Sequence, residues 1–73
     1  MKLEYGVVVE DKNNNLLGKI DHIVMDTWTG RQRKYVIRRD APRTDIFFSP
    51  EHVEDNTKEK VKLRITIDEL ENN

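Results

Sequence analysis

The chain has 73 residues, of which 36% are hydrophobic and 37% are charged, with no cysteine and a formal net charge of −1. This length allows one domain, spanning residues 1–73, and a domain of this size buries only about 60% of the surface that its unfolded chain exposes. The composition excludes a disulfide framework and offers no Cys/His cluster for a structural metal. A second copy of the chain, or a partner domain, is therefore expected to cover further apolar surface.

The composition also bears on location. The first twelve residues, MKLEYGVVVEDK, contain no long apolar run, so a secretory signal is not expected. No stretch approaches the roughly 20 apolar residues that a membrane helix needs. A chain without cysteine fits a reducing compartment. We expect a cytoplasmic protein without a membrane span.

The pattern along the chain predicts short strands and no helix longer than a turn or two. β-Branched and aromatic residues alternate with polar ones between turn signals, which is typical of strands. Polar residues at 11–15, 40–43 and 55–60 predict turns and loops. The predicted strands cover residues 5–10, 16–26, 33–39, 44–48 and 61–67.

The stretch 17–37 predicts a long antiparallel hairpin around a tight, glycine-containing loop. Within its first arm Ile20 and Ile23 lie three positions apart, which breaks the period of two. This break predicts either a bulge near residues 21–22 or a strand buried on both faces. A helix is the competing interpretation, but Gly18 and the β-branched content favour a strand.

Other local signals mark the turns. Asn tolerates positive φ, so the three consecutive Asn residues of the 11–15 turn can replace glycine. Ser49 as N-cap and Pro50 at the first helical position predict a short helical turn, with Val53 holding it against the core. Residues 68–70 predict a final capped turn, and the tail 72–73 is expected to fray.

Together these elements predict an all-β fold, a small barrel of five to six antiparallel strands with one or two short helical turns. Closing the strands into a barrel hides their edges. The expected interior side chains are Tyr5, Val7, Val9, Ile20, Ile23, Met25, Tyr35, Ile37, Leu63, Ile65 and Ile67.

A barrel with that interior leaves apolar side chains outside it, and adjacent ones form a candidate interface. Trp is a favoured interface anchor, and this one lies at the predicted hairpin tip. Local packing at an edge is the other interpretation, as is a register error of one residue, which would exchange the two faces. The candidate interface residues are Val8, Val24, Trp28, Val36 and Phe47.

A second candidate surface is the basic segment, residues 31–43. It holds six basic residues and one acid, a net charge of +5, so the rest of the chain carries −6. The simpler interpretation is protection of a strand edge, where Lys and Arg are common. The functional one is a patch for an anionic partner such as RNA, lipid headgroups or an acidic protein face. The patch residues are Arg31, Arg33, Lys34, Arg38, Arg39 and Arg43.

No catalytic, cofactor or metal site is predicted. Ser49, His52 and Asp55 spell S-x-x-H-x-x-D, but a triad needs geometry that one turn rarely provides, so an N-cap Ser and a surface His are favoured. The 11–15 turn begins like an EF-hand loop but lacks its Gly and its final Glu. His22 and His52 do not match a known ligand spacing.

The order of these features resembles the PRC-barrel domain over essentially the full length. The matching pieces are G-V-V-V at 6–9, L-G-K-I-x-x-I-x-x-D at 17–26, T-G-R at 29–31, an apolar strand at 35–37, an aromatic strand ending in Ser-Pro at 49–50, and a closing strand at 61–67 before Asp-Glu-Leu. The first turn departs from the family pattern, which usually has Gly where this chain has three Asn.

The resemblance implies a small β-barrel whose shared theme is docking onto other proteins, with no catalytic site common to the family. Members occur in the cytoplasmic part of the photosynthetic reaction-centre H subunit, in the C-terminal half of a ribosome maturation factor, and as short free-standing proteins. Fold-level analogy is a weak guide to role. We expect a non-catalytic adaptor that forms a homodimer and docks a protein partner; the alternative is an RNA- or ribosome-associated module. An enzyme is not expected, for lack of a convergent pocket.

Overall fold

Strands are the main regular structure of the protein. The computed structural model describes residues 3–40 and 42–71. Ala41 of the predicted 40–43 loop and the predicted frayed tail 72–73 therefore lie outside the described residues. The elements are β1 (Val8–Glu10), β2 (Leu16–Met25), β3 (Gln32–Ile37), β4 (Ile46–Phe48), a 3₁₀ helix (Pro50–His52), β5 (Val53–Asn56), β6 (Lys60–Leu63) and α1 (Ile67–Glu71).

The six strands form one curled sheet in the order β4-β3-β2-β1-β6-β5, which confirms the small all-β, barrel-like fold. Four of its five ladders are antiparallel, but β1 and β6 are parallel, with Val9 opposite Val61. The sheet ends at β4 and β5, and only the 3₁₀ helix joins those two strands along the chain. The expected closure of the edges is therefore incomplete, and the sheet is a half-barrel.

The predicted strands differ most from the structure near the C-terminus. The predicted polar loop at 55–60 begins with the end of β5, whose residues pair with β6. Only Val53 of β5 is buried, so its sequence lacks the alternation that marks a strand. The predicted strand 61–67 ends at Leu63, after which the chain turns and α1 begins at Ile67.

The predicted bulge in the long hairpin is confirmed. The register between β2 and β3 shifts between Ile20, opposite Ile37, and His22, opposite Val36. The extra residue is Asp21, and it lets Ile20 and Ile23 both point into the core despite their spacing of three.

The turn between β1 and β2 is built around a fully buried carboxylate, that of Asp11. Asn14 adopts the predicted positive φ, 65°. Asp11 Oδ1 accepts the backbone N–H groups of Asn13 and Asn15 at 2.9 and 2.8 Å. Its Oδ2 accepts from the Asn15 side chain at 3.2 Å and from the backbone N–H of Ile67 at 3.1 Å. The carboxylate thus ties the turn to the first residue of α1.

Burial and hydrogen bonding act in opposite directions on the Asp11 carboxyl. Desolvation by burial raises its pKa, because the charged form loses water. The hydrogen bonds from Asn15, Ile67 and Asn13 stabilise the charged form and together outweigh burial, so the pKa lies below its usual value.

The core lies inside the curl of the sheet. Two residues expected there are instead exposed: Tyr5, at 63%, lies in a turn before β1, and Met25, at 51%, lies beyond a second register shift at the end of β2. Val7, Ile65 and Ile67 are half-buried at its margin. The other predicted interior residues are buried, and Val53 joins them as expected; buried residues that were not predicted include Leu3, Leu17, Ile46, Phe48 and Leu70.

Candidate functional site

The sheet register brings three of the predicted interface residues onto one surface. Val36 lies opposite Phe47 on β4 and opposite His22 on β2, while Val24 lies opposite Lys34. Their neighbours along the strands, such as Ile23 and Tyr35, are buried, so this row points away from the core. We call it the outer face: His22, Val24, Lys34, Val36 and Phe47.

Apolar surface on the outer face is open to solvent. Phe47 is 52% exposed and Val24 is also exposed, whereas Val36 between them is half-buried. The Lys34 ammonium lies 5.4 Å from the centre of the Phe47 ring, a cation–π distance. The outer face therefore combines an accessible aromatic ring with a flanking positive charge.

Val8 does not belong to this surface. It lies on β1, opposite Lys19 on β2 and Lys60 on β6, and it is half-buried. Lys19 and Val24 are five positions apart on β2, which corresponds to about 17 Å along the strand. The structure thus separates Val8 from the other predicted interface residues.

Trp28 stands on the turn between β2 and β3 and is 95% exposed. The turn beneath it is ordered by Asp26, whose Oδ1 accepts the backbone N–H groups of Trp28 at 2.7 Å and Thr29 at 3.1 Å. The backbone of Asp26 also donates to the Arg31 carbonyl and accepts from Gly30, both at 2.8 Å. A fully exposed indole is thus carried by a well-bonded turn.

Asp26 also holds the base of the hairpin. Its Oδ2 lies 2.6 Å from the guanidinium of Arg33. This hydrogen bond, followed by those from the Trp28 and Thr29 backbone, lowers the pKa of the Asp26 carboxyl below its usual value. The same hydrogen bonds that order the turn therefore favour the charged form of the carboxylate.

The structure divides the predicted basic patch. Arg33 pairs with Asp26, and Arg38 lies 3.5 Å from Asp21. Arg39, with a side chain only 9% exposed, pairs with Glu71 of α1 at 2.8 Å. These three partners lie outside the basic segment, so its charge of +5 falls locally to +2. Half of its six cations connect neighbouring parts of the fold.

A groove that the sequence did not predict runs along β4. Its volume is about 480 Å³, and it borders both sides of the strand: Lys34 and Phe47 on the outer side, His52 and Leu70 on the inner side. The signal that could have indicated it is the uncharged run Ile46–Phe48, which differs from the charged strands around it. We call this the edge groove; its lining is Lys34, Thr44, Asp45, Ile46, Phe47, Phe48, Ser49, His52, Leu70 and Glu71.

The Ser49–His52 pair forms a cap. His52 Nδ1 accepts the backbone N–H of Ser49 at 3.1 Å, one half of a capping box at the 3₁₀ helix, and it lies 3.3 Å from Ser49 Oγ. Asp55, the third residue of the motif, is exposed on β5. Within residues 3–40 and 42–71, no group of three or more His, Cys, Asp or Glu side chains is arranged to hold a metal ion.

Comparison with known proteins adds no assignment. No protein-family model matches the chain, and its sequence matches no curated protein. Neither helix in the described part of the chain has the length and apolar character that crossing a membrane requires.

Proposed function

We propose that this chain is a non-catalytic adaptor of the PRC-barrel type, which self-associates and docks a protein partner in the cytoplasm. The observation that carries the proposal is the outer face, where Val24, Val36 and Phe47 form accessible apolar surface on three adjacent strands. Contiguous apolar patches on small domains commonly mark interaction surfaces. The cytoplasmic location is supported by the absence of cysteine from the sequence.

Trp28 is the proposed anchor for the protein partner. Ordering a flexible loop on binding costs free energy, and the hydrogen bonds of Asp26 have already ordered this turn. Trp buries a large area and is enriched among interface hot spots. Replacement of Trp28 by Ala is expected to weaken partner binding by about 2–4 kcal/mol, as is usual for such anchors.

Self-association is tested by sedimentation over a wide range of protein concentration, comparing wild type with Val36→Glu. We expect a concentration-dependent dimer for wild type and a shift towards monomer for the variant, because a charge then lies against the exposed Phe47 ring. Val8→Glu is the matched control, since Val8 is also half-buried but lies outside the outer face. A wild type that stays monomeric at every concentration would reject self-association.

The alternative, an RNA- or ribosome-associated module, is supported by Arg31, Lys34 and Arg43. All three are exposed, and in the described chain none of them has a carboxylate within 4 Å. The salt dependence of RNA binding measures how many cations contact phosphate. If only these three do so, the slope of log K against log salt should be about −2.1, whereas six contacts give about −4. Absence of any salt-sensitive RNA affinity would exclude this module.

A further inference from the structure

The two ends of the sheet differ in how they resist pairing with other strands. β5 carries Glu54 and Asp55, and its register with β6 shifts between Val53 and Asp55. Charges and bulges of this kind protect an edge. β4 consists of Ile46, Phe47 and Phe48, without a charge and with an unbroken register against β3. One edge is therefore protected, and the other is apolar and regular.

There is also space beside β4. The edge groove is lined by all three residues of β4 and by Leu70 of α1, the helix that contacts this strand. In the described chain β4 pairs only with β3, so its other edge faces this groove. An added strand would occupy the groove and extend the sheet, as in β-augmentation.

We propose that the occupant is β4 of a second copy, paired antiparallel about a two-fold axis at Phe47. This inference rests on the proposed self-association and specifies its geometry. Such a pairing sets Phe47 opposite its own counterpart and Ile46 opposite Phe48 of the second copy. Next along the strand, Asp45 lies opposite the neutral Ser49. Apolar residues thus meet apolar ones, and no like charges face each other, so the edge is complementary to itself.

The edge pairing covers one part of the exposed apolar surface and leaves the rest accessible. Phe47 and Val36 from each copy form one apolar row across the axis, so self-association uses the part of the outer face nearest β4. β2 lies two strands further away, so Val24 is separated from its counterpart by about 24 Å across the strands, at a spacing of about 4.8 Å. Val24 and Trp28 remain accessible to the protein partner. The paired segment is about 10 Å long, so the dimer should be weak and concentration-dependent.

Disulfide trapping tests the geometry, because the chain has no cysteine of its own. Opposite residues in an antiparallel pair have Cα atoms about 4.5–5.5 Å apart, within the range that a disulfide spans. Phe47→Cys should therefore give a linked dimer under mild oxidation. Val24→Cys and Trp28→Cys, the latter at the most exposed of these sites, should link at least about tenfold more slowly.

A charged substitution at Phe47 tests the edge pairing independently. Phe47→Lys places two like charges opposite each other and removes the central aromatic contact, so the dimer Kd should rise roughly tenfold or more. Trp28→Lys also replaces an exposed aromatic residue by Lys, but at a site outside the paired strands, so it should leave the dimer Kd unchanged. Circular dichroism of both variants checks that the exposed substitutions leave the fold intact.

The outcomes distinguish this inference from the proposed function. Wild-type dimers that Phe47→Lys weakens and Phe47→Cys traps support the edge pairing. Wild-type dimers that trap through Val24→Cys but not Phe47→Cys support self-association and overturn the edge pairing in favour of packing face to face. A wild type that is monomeric throughout overturns both, and leaves the edge groove to an extended peptide of another protein.

Discussion

The buried carboxylate of Asp11 makes a quantitative prediction about stability. Asp11→Asn keeps the size of the side chain but leaves one carbonyl oxygen in place of two carboxylate oxygens. The amide oxygen can replace Oδ1 and accept from the Asn13 and Asn15 backbone. Its NH₂ group then faces two donors, the Asn15 side chain and the Ile67 N–H, which previously bonded to Oδ2.

The expected cost follows from those lost bonds. Each hydrogen bond to a charged group contributes about 1.5–3 kcal/mol, so losing two costs about 3–6 kcal/mol. A chain of 73 residues is expected to have a total free energy of unfolding of about 4–11 kcal/mol. The variant should therefore lose a large part of its stability, or fail to fold at physiological temperature.

Urea unfolding followed by circular dichroism measures this loss, with Asp55→Asn as the matched control at an exposed site. The control should change the free energy of unfolding by less than about 0.5 kcal/mol. Amide hydrogen exchange adds a local test, because the Ile67 N–H should lose its protection in the Asp11 variant. A loss below about 1 kcal/mol for Asp11→Asn would show that the carboxylate does not stabilise the fold as argued.

Three further substitutions or conditions test other parts of the fold. Gly18→Ala should lower the free energy of unfolding by about 1–3 kcal/mol, because Gly18 has φ 138° and a Cβ there would lie 2.8 Å from Ile37 Cγ2. An unchanged melting temperature would contradict this. Arg39→Ala should cost about 1–2 kcal/mol through loss of the pair with Glu71, seen as faster amide exchange in α1, and equal exchange would count against it. The pKa of Asp11 is lower in the folded state, so this carboxylate stabilises the fold at pH values above its unfolded pKa of about 3.9. That contribution is lost as the pH falls through the folded pKa. If Asp11→Asn leaves the acid unfolding curve unaltered, the assignment is refuted.

Local sequence signals predicted the local structure well. The β2–β3 hairpin follows from alternation on both sides of a glycine-containing turn. The bulge at Asp21 follows from the spacing of Ile20 and Ile23, and the positive φ of Asn14 from its residue type. In each case the residues that determine the structure lie within a few positions of one another.

Structure that depends on residues far apart in the sequence was missed, because no local pattern indicates which distant residues will meet. β5 has one buried residue, Val53, and exists because β6 pairs with it. The acceptor role of Asp11 depends on Ile67, 56 positions away. The candidate interface shows the same limit, because the separation of Val8 from Phe47 follows from strand order and not from the character of either residue.

Ion pairing decides how the basic segment bears on function. Arg33 and Arg39 join Asp26 and Glu71, so their charges secure the hairpin base and α1. An exposed pair such as that of Arg33 contributes little stability individually, but a polyanion must displace the carboxylate before it can bind the cation. The exposed rings of Phe47 and Trp28 are uncharged, so they form no ion pair that a partner must break. Association through apolar contact does not require breaking an ion pair on this surface, which is why we propose a protein partner before nucleic acid.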